Sequence, residues 1–156
     1  MENEAGSLSR VVGLFSARGY NIESLSVAPT DDDSLSRLTL VTRGSDQIVE
    51  QIMKQLNKLI EVVKIMDLTD HPHLEREMML VKVGAENSTN IAAIKQVADI
   101  FRGKVIDLNN KTLTIELSGS EDKIEAFIEA MREYGIQEVV RSGCIGLTRG
   151  ALSLRA

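Results

Sequence analysis

Apolar and polar residues alternate along this chain with two periods, one typical of helices and one typical of strands. Near the start, apolar side chains follow the spacing i, i+3, i+4, i+7 of one buried helical stripe; they are Leu8, Val11, Val12 and Phe15. This spacing predicts a helix over residues 7–18, and Gly19 follows where a helix end favours a left-handed residue. Residues 21–28 then alternate from Ile22 onward, which predicts a half-buried strand.

The rest of the first 69 residues continues this alternation of helix and strand. Strands are predicted at 38–42 and 60–65, and Gly44-Ser45-Asp46 between them precedes an amphipathic helix. The order helix, strand, strand, helix, strand is that of a βαββαβ unit without its first strand. Residues 1–3 are too few for that strand. We therefore expect a truncated first strand, either because the chain starts late or because the strand is absent.

The second half of the chain repeats the first. Segments 38–46 and 113–121 carry Leu-Thr-Leu and Leu-Thr-Ile, followed at the same spacing by Gly-Ser-Asp and Gly-Ser-Glu. The predicted elements of this half are strand 78–83, helix 88–100, strands 105–108 and 113–117, a helix from 119, and strand 137–141. We predict an α+β protein with two ferredoxin-like βαββαβ units, each an antiparallel sheet with helices on one face. The predicted boundaries are 1–69 for the N-terminal domain, 70–74 for a linker, 75–143 for the C-terminal domain and 144–156 for a tail.

Composition narrows the class of protein. Apolar residues make up 43% of the chain but aromatic residues only 3%, so the core is expected to be aliphatic. The formal net charge of −5 argues against nucleic acid or an anionic membrane as the main partner. The predicted strands also lack the stacking aromatics of RNA-recognition domains. One cysteine excludes an intrachain disulfide, and no apolar run reaches the length of a membrane span. We expect a soluble protein of a reducing compartment.

The start of the first helix is the candidate ligand site. Gly6-Ser7-Leu8 opens this helix, where unpaired backbone N–H groups and the helix dipole favour a carboxylate. Gly6 lacks a Cβ, so a ligand can approach the backbone, and Asn3 lies just upstream. After the helix, Asn21 and Ile22 add a second amide beside an apolar side chain. These groups suit an amino acid, although the same residue types are also ordinary capping and turn residues.

Three other groups of residues could carry chemistry, and each has a simpler interpretation. His71 and His73 could bind a metal, but without a cysteine or a third ligand they fit a solvated linker better. Residues 31–33, three consecutive aspartates, could bind a hard cation, yet such runs commonly occupy a turn. Cys144 has no base placed to activate it. No glycine-rich phosphate loop is present, so we predict neither a catalytic nor a metal site.

Two motifs in the first 25 residues resemble those of a known family. Asn-x-x-Gly-x-Leu from Asn3, a helix, and Gly-x-Asn-Ile from Gly19 resemble the ligand motif of ACT domains, which sense amino acids. The longer string over residues 2–25 is similar to the regulatory (small) subunits of acetolactate synthase, also called acetohydroxyacid synthase. Later strings extend the resemblance nearly end to end, at 28–30, 35–37, 50–59, 75–83, 100–103 and 141–150.

The resemblance implies a regulatory subunit without catalytic activity. It would bind and activate a catalytic subunit that joins two pyruvates, or pyruvate and 2-oxobutyrate, at the head of branched-chain amino acid synthesis, including isoleucine biosynthesis. Thiamine diphosphate, FAD and Mg are expected in that subunit and no cofactor in this chain. Valine, or another branched-chain amino acid, would inhibit by binding at the interface of an ACT homodimer. The location implied is the cytoplasm, or a plastid if the chain comes from a plant or alga.

By the same resemblance, six residues are expected to bind the effector: Asn3, Gly6, Ser7, Leu8, Asn21 and Ile22. Asn21 is expected to come from the second protomer. The alternative function is a stand-alone amino-acid-binding ACT module that regulates another enzyme.

The other parts of the chain lack this site. The helix start at 85–90 has no glycine, and no Asn-Ile follows Gly103. We therefore expect the second half to be structural or to contact a partner. Residues 141–150 are expected to help bind or activate the catalytic subunit, with a disordered tail as the alternative.

Overall fold

The computed structural model describes residues 1–155, which fold into two compact units. The N-terminal unit contains Met1–Leu74 and the segment that begins at Cys144, and the C-terminal unit is Glu75–Gly143. The α-helices of the described residues are α1 (Ser7–Ala17), α2 (Asp46–Leu56), α3 (Ser88–Ile100) and α4 (Glu121–Met131). Their strands are β1 (Ser24–Pro29), β2 (Ser36–Val41), β3 (His73–Gly84), β4 (Lys104–Leu108), β5 (Thr112–Gly119), β6 (Ile136–Arg141) and β7 (Ile145–Thr148). None of these helices is long and apolar enough to cross a membrane.

In the N-terminal unit, two helices pack on one face of an antiparallel pair of strands. β1 pairs with β2 in a register that places Leu25 opposite Leu40 and Val27 opposite Leu38. Because side chains alternate across a strand, these residues share one face. The buried residues of the core are Val11 and Phe15 from α1 and Ile52 and Leu56 from α2, and Leu38 and Leu40 pack against them. The helix predicted over 7–18 is confirmed, one residue shorter.

The strand predicted at 60–65 is not formed within residues 1–155, so this prediction was wrong. Glu61 contributes one backbone hydrogen bond, from Glu2 N to its carbonyl at 2.8 Å. On their other side, residues 1–3 bond to residues 34–36, through Asn3 N to Ser34 O at 2.7 Å and Ser36 N to Met1 O at 2.8 Å. Residues 1–3 thus lie between the two segments. A strand needs a ladder of backbone bonds, and among the described residues only the bond from Glu2 to Glu61 joins 1–3 to 60–65.

The helix caps of the internal repeat differ between the two units. Ser45 Oγ accepts a hydrogen bond from Ile48 N at 3.4 Å at the start of α2. Ser120, in the matching place before α4, makes no side-chain capping bond. Ser45→Ala is therefore expected to lower the free energy of unfolding by about 0.5–1 kcal/mol, because an N-cap hydrogen bond is lost. Ser120→Ala should cost less, and equal losses in thermal denaturation would contradict this assignment.

The C-terminal unit contains both predicted layers, an antiparallel sheet and two helices. Its strands lie in the order β4-β5-β3-β6, all neighbours antiparallel, and α3 and α4 supply the apolar residues that pack against one face. The rings of Phe101 and Phe127 meet edge to face with centroids 5.2 Å apart. The other large buried side chains of this core are Met79, Val81, Val83, Ile94, Leu113, Ile115, Leu117, Ile124 and Met131. The helix predicted over 88–100 is confirmed at both ends, and the strands are confirmed with extensions of one to three residues, except that β3 begins five residues early, at His73.

Arg141, the last residue of β6, pairs with two glutamates of the C-terminal unit. Its Nε and Nη2 donate to the two carboxylate oxygens of Glu77 at 2.7 and 2.9 Å, and its Nη1 donates to Glu125. Glu77 is only 7% exposed. These hydrogen bonds, above all those to Glu77, raise the pKa of Arg141. The guanidinium thus compensates a buried carboxylate, which would otherwise be costly.

The C-terminal segment contains a strand that the hydrophobic pattern did not predict. β7 pairs with β3, whose first two residues, His73 and Leu74, belong to the N-terminal unit. The backbone N–H of Arg149 donates to Pro72 O at 2.8 Å. β7 has only four residues, and its Thr148 side chain is buried. A strand of four residues forms because β3 offers it backbone hydrogen-bond partners, so the local periodicity of residues 145–148 does not predict it.

Candidate functional site

The first turn of α1 presents unpaired backbone donors. Gly6 occupies the N-cap position with φ +92° and no capping side chain, a left-handed conformation that glycine adopts readily. Ser7 N donates to Glu4 O at 3.2 Å, and the helical ladder starts with Arg10 N to Gly6 O at 3.0 Å. Among the described residues, the N–H groups of Leu8 and Ser9 have no acceptor. A Cβ at Gly6 would meet nothing within 4 Å among the described residues, so the space beside the Gly6 backbone is open.

Asn3 is held firmly beside this turn. Its backbone N–H donates to Ser34 O at 2.7 Å and its Nδ2 to Asp33 O at 2.8 Å. Its Oδ1 accepts from Ser36 Oγ at 2.9 Å, and Ser36 is buried. An amide has two donors and two acceptor lone pairs. One donor and one lone pair of Asn3 therefore stay available for a ligand in a fixed orientation.

Two buried polar atoms near the start of α1 have no hydrogen-bond partner in the described chain. They are Ser7 Oγ, in a residue that is 1% exposed, and Glu61 Oε2. The other carboxylate oxygen of Glu61 pairs with Arg10, which lies one turn after Ser7 on the same side of the helix. An unsatisfied buried polar atom costs about 1–3 kcal/mol. Buried side-chain atoms without a hydrogen-bond partner thus occur near the start of α1 and nowhere else in the described unit.

Asn21 and Ile22 are not joined to the first turn of α1 by hydrogen bonds within residues 1–155. Asn21 is exposed, and its carbonyl accepts from Thr42 Oγ1 at 2.6 Å. Within residues 1–155 no hydrogen bond joins its side chain to Asn3 or to the first turn of α1. Ile22 packs against the core, and Leu8 is half-buried.

Sequence reasoning missed three residues around the site: Arg10, Ser36 and Glu61. Ser36 orients Asn3, and Arg10 and Glu61 form an ion pair beside the helix start. The sequence offers one weak signal for Glu61, which together with Lys64 interrupts the apolar run at 60–65. The position of Ser36 opposite Asn3 depends on the fold and leaves no local signal.

The other candidate groups take part in local structure. Asp32 Oδ1 accepts from Ser34 N at 2.9 Å and from Ser34 Oγ at 2.6 Å, and the bonds to Ser34 lower the pKa of Asp32. His73 Nδ1 lies 2.7 Å from His71 O. In the described part of the chain, no three histidine, cysteine, aspartate or glutamate side chains are grouped to hold a metal ion.

Two successive parts of the chain match two family models. Residues 1–64 match the AHAS small subunit-like ACT domain, and residues 76–150 match the small subunit of acetolactate synthase. The Asn3 and Gly6 site lies in the first of these regions. The chain therefore contains an ACT domain followed by a region that matches the small subunit of acetolactate synthase.

Full-length similarity gives the particular family. The acetolactate synthase small subunit of Haemophilus influenzae is 54% identical over 151 residues, covering 96% of this chain and 92% of that protein. The acetolactate synthase isozyme 3 small subunit of Salmonella typhimurium is 49% identical over 156 residues, covering 99% and 95%. The crystal structure of the small subunit from Thermotoga maritima superposes with a TM-score of 0.86 at 37% identity, covering 97% and 94%. The chain belongs to the acetolactate synthase small-subunit family, and the predicted family and fold are confirmed.

Proposed function

We propose that this chain binds and activates a catalytic subunit of acetolactate synthase and confers feedback inhibition by valine or another branched-chain amino acid. The names of its relatives support a catalytic partner, because a small subunit implies a larger one. The chain itself has no catalytic role in this proposal. Thiamine diphosphate, FAD and Mg belong to the partner, and the location is the cytoplasm or a plastid.

The observation that carries the effector proposal is the open first turn of α1. The free N–H groups of Leu8 and Ser9 and the positive end of the helix dipole suit a carboxylate. The absent Cβ of Gly6 leaves room for that carboxylate against the backbone. The remaining lone pair on Asn3 Oδ1 can accept from the ammonium group of an amino acid.

The neighbouring side chains favour an apolar effector. Leu8 is half-buried at this turn and offers apolar surface to a ligand side chain, and Ile22 would add to it from the second protomer of a homodimer. Valine should bind better than serine, because a hydroxyl buried there lacks a partner. Discrimination among valine, leucine and isoleucine should be weak, since one methylene is worth about 1–3 kcal/mol.

The free edge of β1 supports a homodimer. In the described chain β1 pairs with β2 along one edge and with no strand along the other. An exposed strand edge is a template for pairing, and two copies related by a twofold axis can pair the same edge antiparallel. In that arrangement Asn21, which precedes β1 and is exposed, would reach the site of the second protomer.

Melting curves with single amino acids test the effector proposal. At 100 times its Kd, a ligand should stabilise the protein by about 2.7 kcal/mol. For a chain of this size that is a rise in Tm of about 5–10 °C. We expect this shift with valine, leucine or isoleucine, and a much smaller one with serine at equal concentration. Equal shifts for valine and serine, or no shift at all, would contradict the proposal.

Reconstitution tests the partner. We expect the chain to raise the activity of a purified acetolactate synthase catalytic subunit and to make it sensitive to valine. Effector binding without any effect on that subunit would favour the stand-alone amino-acid-binding module instead.

A further inference from the structure

The C-terminal segment, residues 144–155, is attached to the N-terminal unit by hydrogen bonds to both backbone groups of Gly146. Gly146 N donates to Thr39 Oγ1 at 3.3 Å, and Gly146 O accepts from Arg37 Nη2 at 3.0 Å. A Cβ at Gly146 would overlap Cδ1 of the Leu68 side chain, which would have to shift. The N–H and the carbonyl of one residue are thus both held by side chains of β2, at a place where a larger residue would displace the Leu68 side chain.

The same segment is anchored again near its end. Arg149 donates from its backbone N–H to Pro72 O at 2.8 Å and from Nε to His73 O at 3.2 Å. Lys64 Nζ donates to Arg155 O at 2.8 Å. The anchors lie on residues 37–39, 64 and 72–73, all within the N-terminal unit. The segment is therefore held at several points rather than by one contact.

β2 carries the effector site and the C-terminal segment on opposite faces. Ser36 bonds Asn3 Oδ1, and Leu38 faces the same side, toward the core. Arg37 and Thr39 point the other way, because successive side chains alternate across a strand, and these two residues hold Gly146. A displacement of β2 would act on both sets of hydrogen bonds, because Ser36, Arg37 and Thr39 belong to one strand.

We propose that residues 144–155 position the effector site through β2, with Arg37 and Gly146 as positioning residues. This inference rests on the proposed effector function. Docking of the segment fixes the strand that orients Asn3, so the docked form binds the effector more tightly. By linkage, the effector must strengthen docking by the same factor.

The test combines an affinity with an exchange rate. In isothermal titration calorimetry of the full chain, Gly146→Val should raise the Kd for valine at least fivefold, the lower end of typical couplings. In the unmutated protein, saturating valine should slow amide exchange of Gly146 and Arg149 by the same factor. Amides that exchange only through unfolding of the whole unit would instead slow by the larger factor of its overall stabilisation by valine.

Two further variants keep the test interpretable. Arg37→Met removes the donor to Gly146 O and should also raise the Kd, even if Gly146→Val does not fold, whereas Arg37→Lys should recover part of the affinity. Leu147→Thr is the matched control, because Leu147 neighbours Gly146 but is 56% exposed, and its Kd should stay within twofold.

Three results would count against the proposal, and they are distinguishable. Unchanged valine affinity in both Gly146→Val and Arg37→Met would overturn the coupling while leaving the effector function intact. Valine binding without slower exchange at Gly146 and Arg149 would do the same. Failure of valine, leucine and isoleucine to bind the unmutated chain would overturn the effector function and the coupling with it.

Discussion

Gly6→Asp is expected to abolish the valine-induced rise in Tm and the valine inhibition of the reconstituted enzyme. The new carboxylate would lie near the free N–H groups of Leu8 and Ser9, at the place proposed to bind the carboxylate of the ligand. Two unit charges about 4 Å apart repel by roughly 4 kcal/mol at the effective dielectric of a protein surface. That repulsion corresponds to about a thousandfold loss of affinity.

The conformation of Gly6 requires a matched control. Its φ of +92° is unfavourable for any residue with a Cβ and costs about 1–2 kcal/mol of stability. Gly6→Ala carries this same strain without a charge, and its Cβ would meet no neighbour within 4 Å. We therefore expect Gly6→Ala to melt earlier but to keep a shift with valine.

Melting curves and reconstituted activity measure this prediction together. Unchanged inhibition by valine in Gly6→Asp would exclude the first turn of α1 as the effector site. Loss of the shift in both Gly6→Asp and Gly6→Ala would instead assign the effect to backbone strain at Gly6. Only a loss confined to the aspartate variant supports carboxylate binding at this turn.

Arg141→Met is expected to destabilise the protein by about 3–5 kcal/mol, because it leaves a buried charge without a partner. The guanidinium of Arg141 contacts both oxygens of Glu77, whose side chain is 6% exposed. Methionine fills a similar volume but offers no hydrogen-bond donor. Glu77 must then stay buried unpaired, or the end of β6 must open to water.

Arg132→Met is the matched control for this variant. Arg132 also pairs with a glutamate, Glu129, at 2.6 Å, but the two side chains are 65% and 75% exposed. A pair this exposed contributes about 0.2–1 kcal/mol. Urea unfolding followed by circular dichroism should therefore show a large loss only for Arg141→Met.

A double variant identifies the cause. Adding Glu77→Gln to Arg141→Met replaces the stranded carboxylate by a neutral amide, which should recover part of the lost stability. No recovery would show that packing of the arginine stem, rather than the buried charge, carries the effect.

The predicted elements succeeded where local pattern and tertiary environment agree. Helices α1 and α3 have clear apolar stripes and lie where the pattern places them. The prediction failed at 60–65, an apolar run that looks like a strand but that, among the described residues, bonds to residues 1–3 through Glu61 O alone. Strand formation depends on hydrogen-bond partners that are distant in sequence, and local periodicity cannot report whether they exist.

The candidate site divides in the same way. Gly6, with the helix start that follows it, is visible in sequence because its chemistry comes from consecutive backbone groups. Ser36 and Glu61 were missed, because each lies more than 25 positions along the chain from the helix start at Gly6. The docking of Gly146 on β2 was missed for the same reason, as it joins residues that are 107 and 109 positions apart.

The sequence by itself determined the family, the α+β class, the repeat of two related units and the helix start that carries the candidate effector site. These features arise from side-chain periodicity and from motifs of neighbouring residues. Only the tertiary structure decided that Asn3 is oriented by Ser36, that Arg141 compensates Glu77, and that the last residues return to the N-terminal unit. These contacts join residues that are far apart in sequence, and such a contact contributes to stability only when the fold has brought the two residues together.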